Sequence, residues 1–348
     1  MKTRRGRPSF PLLVMLAIAA LVAAGCGANA ATASSGETIT LYNAQHEQTT
    51  NALIAAFTAQ TGIKVNVRSN GEDVLTAQIE QEGAQSPADV FYTENSPWLE
   101  QLDGKHLLAK VDPATLRQVP AADSGASGDW AGVSARVSTM IYHTGSLTPS
   151  QLPSSVLDLA DPQWKGKLEL APSETDFWPI VSSVAKTYGQ ARALEWLRGL
   201  KANAGSNATI PDNETVTSDV SQGNGQLGVI NGYYFYRLRA EVGPSEVHAA
   251  LAFFAPHDPG YLLNVSGAAV LASSKHQAAA QKLLAFLTST TGQTILAHSD
   301  SFEYPLADHV AANPALTPLN QLQPNSFSVA ELGTGEDAKT LLQQAQLI

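Results

Sequence analysis

The chain predicts an α/β fold. Short β-branched and apolar runs alternate with stretches of helical periodicity along almost its whole length, and about 310 residues follow an N-terminal leader, room for two domains of ordinary size. Residues 38–42 read as a strand and 47–60 as a helix with Leu53, Ile54 and Phe57 on one face. Residues 64–68 alternate as a strand does. Residues 72–82 read as a helix and 89–92 as a short buried strand. Residues 137–143 form a strand where the chain could cross between lobes. A turn at 164–167 leads into a strand at 168–171, followed by helices over 176–187 and 191–200. A strand at 226–231 runs straight into Tyr233-Tyr234. Strands at 250–255 and 267–271 and helices at 275–287 and 291–297 complete the pattern.

The N-terminus carries Lys2, Arg4, Arg5 and Arg7, then an apolar run over 10–24. That run is too short for a spanning helix and reads as a secretory signal over 1–25. It closes in Ala23-Ala24-Gly25-Cys26, which resembles a bacterial lipobox, although Ala23 replaces the usual Leu. Cys26 is the only cysteine of the 348 residues, so no intramolecular disulfide can form. The expectation is a lipidated Cys26 anchoring the protein outside the cytoplasmic membrane, at the cell surface or in the periplasm. A flexible tether over 26–36 follows. Loss of the four basic residues leaves 17 basic against 31 acidic, −14 instead of −10. That balance speaks against nucleic acid and against electrostatic binding to anionic lipid.

Adjacent residues on a strand point to opposite faces. On the first turn of a helix they diverge by about 100°, so two neighbouring phenols can converge on one object. Phenolate is a hard oxygen donor suited to hard, highly charged cations. A phenol with a pKa near 10 gives up its proton at neutral pH only to a strong cation. Against this stands the reading of Tyr233-Tyr234-Phe235-Tyr236 as an aromatic core segment. Two more strand ends carry metal-competent groups: His46 after the first strand and Glu94 after the third. Ligands of open α/β sheets gather at the carboxyl ends of strands. One imidazole, one carboxylate and two phenolates would carry three negative charges, enough to neutralise Fe(III).

These residues stand in segments, YNAQHEQTTNALIAAFTAQTGIKV (42–65), SPADVFYTEN (86–95), INGYYFYR (230–237), HDPG (257–260), SGAAVL (266–271) and EYPL (303–306), through which the chain resembles the periplasmic ferric-ion-binding proteins, FbpA-type substrate-binding components of bacterial iron ABC importers. The resemblance implies a type II periplasmic-binding-protein fold of two α/β lobes with a hinge and an interlobe cleft. It implies lobe 1 over 37–138 and 264–313, and lobe 2 over 139–263 and 314–348. It also implies that His46, Glu94, Tyr233 and Tyr234 bind Fe(III), helped by a synergistic anion such as phosphate or carbonate. Asn213, Asn231 and Asn95 fall on anion-contact positions, Asn95 where the family often has Gln. An ABC permease is the implied partner, and the protein is expected to be a monomer.

One departure matters. Where the family cradles phosphate at a helix start, this chain has Pro172-Ser173-Glu174-Thr175-Asp176-Phe177. Glu174 and Asp176 would repel a phosphate, or take its place. Equally, Ser, Thr and Asp there read as helix caps. Arg237 reads either as a partner to the ligands or as a surface charge, and the other seven histidines as surface or structural. A receptor for another solute, such as a phosphonate, polyamine or organic anion, stays open. An enzyme is not expected: the chain has no Gly-x-Ser-x-Gly elbow, no P-loop, no Gly-x-Gly-x-x-Gly after a strand and no cysteine nucleophile.

Overall fold

The computed structural model describes residues 36–348; the expected signal, Cys26 and all of the tether but Gly36 lie outside the described residues. Nine strands form the sheet: β1 (Thr38–Ala44), β2 (Lys64–Ser69), β3 (Val90–Thr93), β4 (Ala131–His143), β5 (Leu168–Glu169), β6 (Leu227–Asn231), β7 (Ala249–Ala252), β8 (Leu263–Val270) and β9 (Tyr304–Pro305). Their order is β2-β1-β3-β8-β4-β6-β5, with β7 and β9 also paired to β4.

β4 belongs to both halves of this arrangement. Its first part pairs antiparallel with β8 from Ala131↔Ala268 to Val137↔Leu263. Its second part pairs with β6 from Ser138↔Asn231 and with β7 from Met140↔Ala252. The first half holds β1, flanked in parallel by β2 and β3. Its core packs the helices Glu47–Thr61 and Gln277–Leu287 on the sheet through Leu53, Phe57, Leu283 and Leu284. The second half is covered by Trp178–Tyr188, Gln190–Ala204 and Asn213–Gln222.

Several elements extend beyond, or fall short of, what periodicity predicts. β4 starts six residues before 137, and β8 four residues before 267. Gly132, Ser134 and Arg136, and likewise Asn264 and Ser266, interrupt the apolar runs, but their polar groups are buried with partners inside the fold. The helix expected over 176–187 begins as a 3-10 turn at Thr175–Phe177 and becomes α-helical at Trp178, with Pro179 in its first turn. β5 and β7 are shorter than the runs 168–171 and 250–255. The helices Ser96–Gly104, Asn213–Gln222 and Glu336–Gln344 have no counterpart in the sequence reading.

Candidate metal centre

The four expected ligands come together, each placed by a strand end. β1 stops at Ala44, and His46 occupies the N-cap position of Glu47–Thr61. Its N–H donates to Gln45 Oε1 at 2.7 Å and its carbonyl accepts the Thr50 N–H at 3.0 Å. Glu94 follows β3 directly, and its N–H donates to the Ala44 carbonyl at 3.2 Å, coupling the two loops. Tyr233 and Tyr234 open the helix Tyr233–Val242 two residues after β6. The Gly232 N–H donates to the Val137 carbonyl at 2.8 Å, which pins that helix start to the crossing point of β4.

His46 Nδ1 lies 3.3 Å from Glu94 Oε1. The Tyr233 hydroxyl donates to Glu94 Oε2 at 3.5 Å. The imidazole stands edge-on to the Tyr233 ring with centroids 5.3 Å apart, and the two phenol rings stack at 4.0 Å. Both tyrosines are buried, 2% and 5% exposed, while the Glu94 side chain keeps 20% exposure. Among the described residues no three His, Cys, Asp or Glu side chains form a metal-competent group.

Burial sets the protonation of this cluster. It pushes the His46 imidazole down to about 3, with Arg237 and Arg136 also opposing its charge. It pushes the Glu94 carboxyl well above the usual range; Arg136 opposes this, and Glu72, Asp176 and Glu303 add to it. It pushes both phenols up, Tyr233 further by Glu94 and Tyr234 further by Asp176. The result is a neutral imidazole beside two phenols that keep their protons and a carboxyl held above its usual range.

The residues of the departing turn separate. Asp176 is buried, 3.3 Å from Arg136 Nη2, and accepts from Asn213 Nδ2 at 3.3 Å. Neither the 3-10 turn nor the α-helix after it has a side-chain cap, so the Asp176 carboxylate turns to Arg136 and Asn213 rather than capping the helix start. Glu174 lines a cavity of about 690 Å³ next to His46 and Glu94, together with Glu72, Asp73 and Lys339. Burial pushes Glu174 up to about 8, aided by Asp176 and Glu214. Asn95 donates to Glu72 and accepts from Arg136 at 2.9 Å. Asn231 accepts from Asn264 at 2.8 Å, and its own buried amide nitrogen has no partner. Arg237 reaches Glu214 at 3.4 Å and lies over the Tyr233 ring at 5.9 Å.

Two site residues escaped the sequence reading. Arg136, on β4, is fully buried and donates to the Glu94 carbonyl and to Asn95 and Asp176. Burial works against its charge, but Glu303, Asp176 and Glu94 outweigh it and raise its pKa. Glu303, just before β9, lies 3.8 Å from Arg136 Nε and 3.7 Å from His46 Nε2. The signal for Arg136 was a single arginine in a strand without acidic residues, a cation seldom buried without partners.

A sheet in two parts sharing one strand, with polar loops from both parts meeting at strand ends, defines a type II periplasmic-binding-protein fold. A model of the bacterial extracellular solute-binding protein family matches residues 85–326, and the chain belongs to that family. It is 41% identical to the Fe(3+)-binding periplasmic protein of Serratia marcescens over 308 residues, 88% of this chain and 90% of that one. Iron-bound HitA from Pseudomonas aeruginosa, also 41% identical, superposes with a TM-score of 0.84 over 89% of this chain and 99% of its own. FutA from Trichodesmium, solved in complex with iron and citrate ligands, is 28% identical with a TM-score of 0.80 over 89% of this chain and 100% of its own. The resemblance to ferric-ion-binding proteins read from the sequence therefore holds.

Proposed function

We propose that the protein captures Fe(III) in a cleft between two lobes and delivers it to an ABC permease, as an extracytoplasmic receptor. The observation that carries this is the meeting of His46 and Glu94, from the first half of the sheet, with Tyr233 and Tyr234 from the second. The names of the Serratia and Pseudomonas relatives support the choice of cargo. The lobes are 37–138 with 264–313 and 139–263 with 314–348. Ligands divided between lobes couple binding to closure, because the ion stabilises the closed state only. Release follows opening and reprotonation of the phenols. Cys26 carries the lipid anchor, the protein works as a monomer, and it binds rather than transforms its cargo.

Asp176 supplies the negative charge that an added anion would otherwise bring. Two observations support this: Asn213 and Asn95 are already engaged by the protein's own groups, and Arg136 is paired with Asp176. The test is iron binding by competition with a chelator, with and without millimolar phosphate. The wild type is expected to bind one Fe(III) per chain at an affinity that phosphate leaves unchanged, and Asp176→Ala to become phosphate-dependent. Absence of bound iron from the wild type refutes the function. A wild-type affinity that climbs with phosphate refutes the role of Asp176 alone.

A further inference from the structure

A cavity of about 690 Å³ lies behind the strand crossing, and none of the residues of the metal centre lines it. Arg136 on β4 pairs with Asn264 on β8, and Val137 with Leu263. Adjacent residues on a strand face opposite sides. Arg136 and Asn264 turn to the polar cluster of the site, through Asp176 and Asn231. Leu263 turns the other way and lines the cavity. Leu306 and Leu316 are buried in the same wall, and Leu319 is half-buried. Four prolines, Pro120, Pro305, Pro314 and Pro318, fix the backbone torsion at points around it.

One carboxyl is set into this apolar wall. Asp123 ends the 3-10 turn Ala121–Asp123 and is half-buried. Among the described residues nothing hydrogen-bonds to its carboxylate or pairs with it, and burial alone pushes it up to about 6. Asp308 and His309 lie exposed in the lining, and among the described residues no lysine or arginine lines the cavity. A carboxyl in apolar surroundings without a partner is costly to charge. A ligand that brings a cation offsets this cost, while its apolar body covers the leucines. An anion would meet Asp123 and Asp308 with no buried cation to balance them, and a neutral apolar body would leave the Asp123 carboxyl unpaired.

We propose that this cavity is a second binding site, for a small amphiphilic cation: Asp123 pairs with a protonated amine, and Leu263, Leu306, Leu316 and Leu319 hold its compact apolar body. The volume falls in the range of small-molecule sites, which combine mostly apolar walls with a few placed polar groups. The ferric cargo plays no part in this site.

The test is a methyl ¹H–¹³C correlation titration of the leucine-labelled protein with three probes of similar shape: 2-phenylethylammonium, 2-phenylethanol and phenylacetate. The amine is expected to shift the methyls of Leu263, Leu306, Leu316 and Leu319 saturably, with a Kd of about 1 mM. The alcohol should bind about tenfold more weakly, and phenylacetate should leave these methyls unmoved. Asp123→Asn should bring the amine down to the affinity of the alcohol. If Asp123→Asn fails to fold, the three probes on the wild type decide. An amine that moves none of these methyls at about 20 mM overturns the proposal. So does an amine that binds no better than the alcohol, or one that keeps its affinity in folded Asp123→Asn.

Discussion

On the proposed ferric reading, loading the site must release protons, and the structure sets how many. Both phenols are pushed above their usual range, so both enter the reaction protonated at neutral pH. His46 is pushed down to about 3 and enters without a proton to lose. Binding at pH 7 thus frees at least two protons, and a third from Glu94 as the pH falls into the range where its raised pKa keeps it protonated. Two protons make the apparent affinity rise about 100-fold per pH unit, roughly 2.7 kcal/mol. The sign is fixed: acid favours release. The assay is Ga(III) transfer from nitrilotriacetate in weak buffer with a pH indicator, corrected for protons taken up by the chelator. Tyr234→Phe should lower the count by one. A wild-type count below two, or an unchanged count in the variant, would refute the reasoning.

Other perturbations follow from the same contacts. Below pH 6.5 a solvated His46 takes a proton that the buried site refuses, so the stability of the buried arrangement is complete above 6.5. It is lost toward pH 3 by about 1.4 kcal/mol per unit, which urea unfolding followed against pH would show. Arg136→Met strands Asp176 and Glu303 without their buried cation and should cost about 3–5 kcal/mol in urea unfolding; a loss under ~1 kcal/mol would mean the cluster relaxes or stays protonated. Gly132→Ala should destabilise strongly, because its Cβ would sit 2.1 Å from the Asp123 carbonyl oxygen. Gly232→Ala, whose nearest neighbour is Leu251 Cδ1 at 3.3 Å, should be tolerated in the same thermal melt.

The elements that carry the expected ligands were legible because their periodicity is undisturbed. The helix at 72–82 has the expected bounds, and the Tyr pair opens a helix where a strand ends. What stayed hidden was the polar interior. Ser134, Arg136, Asn264 and Ser266 broke the apolar patterns of β4 and β8, so those strands read as shorter than they are. Three of those side chains, Arg136, Ser134 and Ser266, surround Glu303, Gln45 and Glu94. Their partners lie more than 40 residues away in the chain, and periodicity carries no information about pairs that distant. Asp176 illustrates the limit: its type and position raised both a cap and a substitute anion, and its contacts with Arg136 and Asn213 could not be read from either.

The central claim is that two phenolates bind the cargo. The most direct measurement is the visible spectrum of the mature protein after addition of ferric citrate, beside the double variant Tyr233→Phe, Tyr234→Phe. A red-to-purple phenolate-to-iron band in the wild type, absent from the variant, is the predicted result. A wild-type protein that stays colourless with phosphate and bicarbonate supplied would make the tyrosines aromatic packing and assign the cleft to something other than iron.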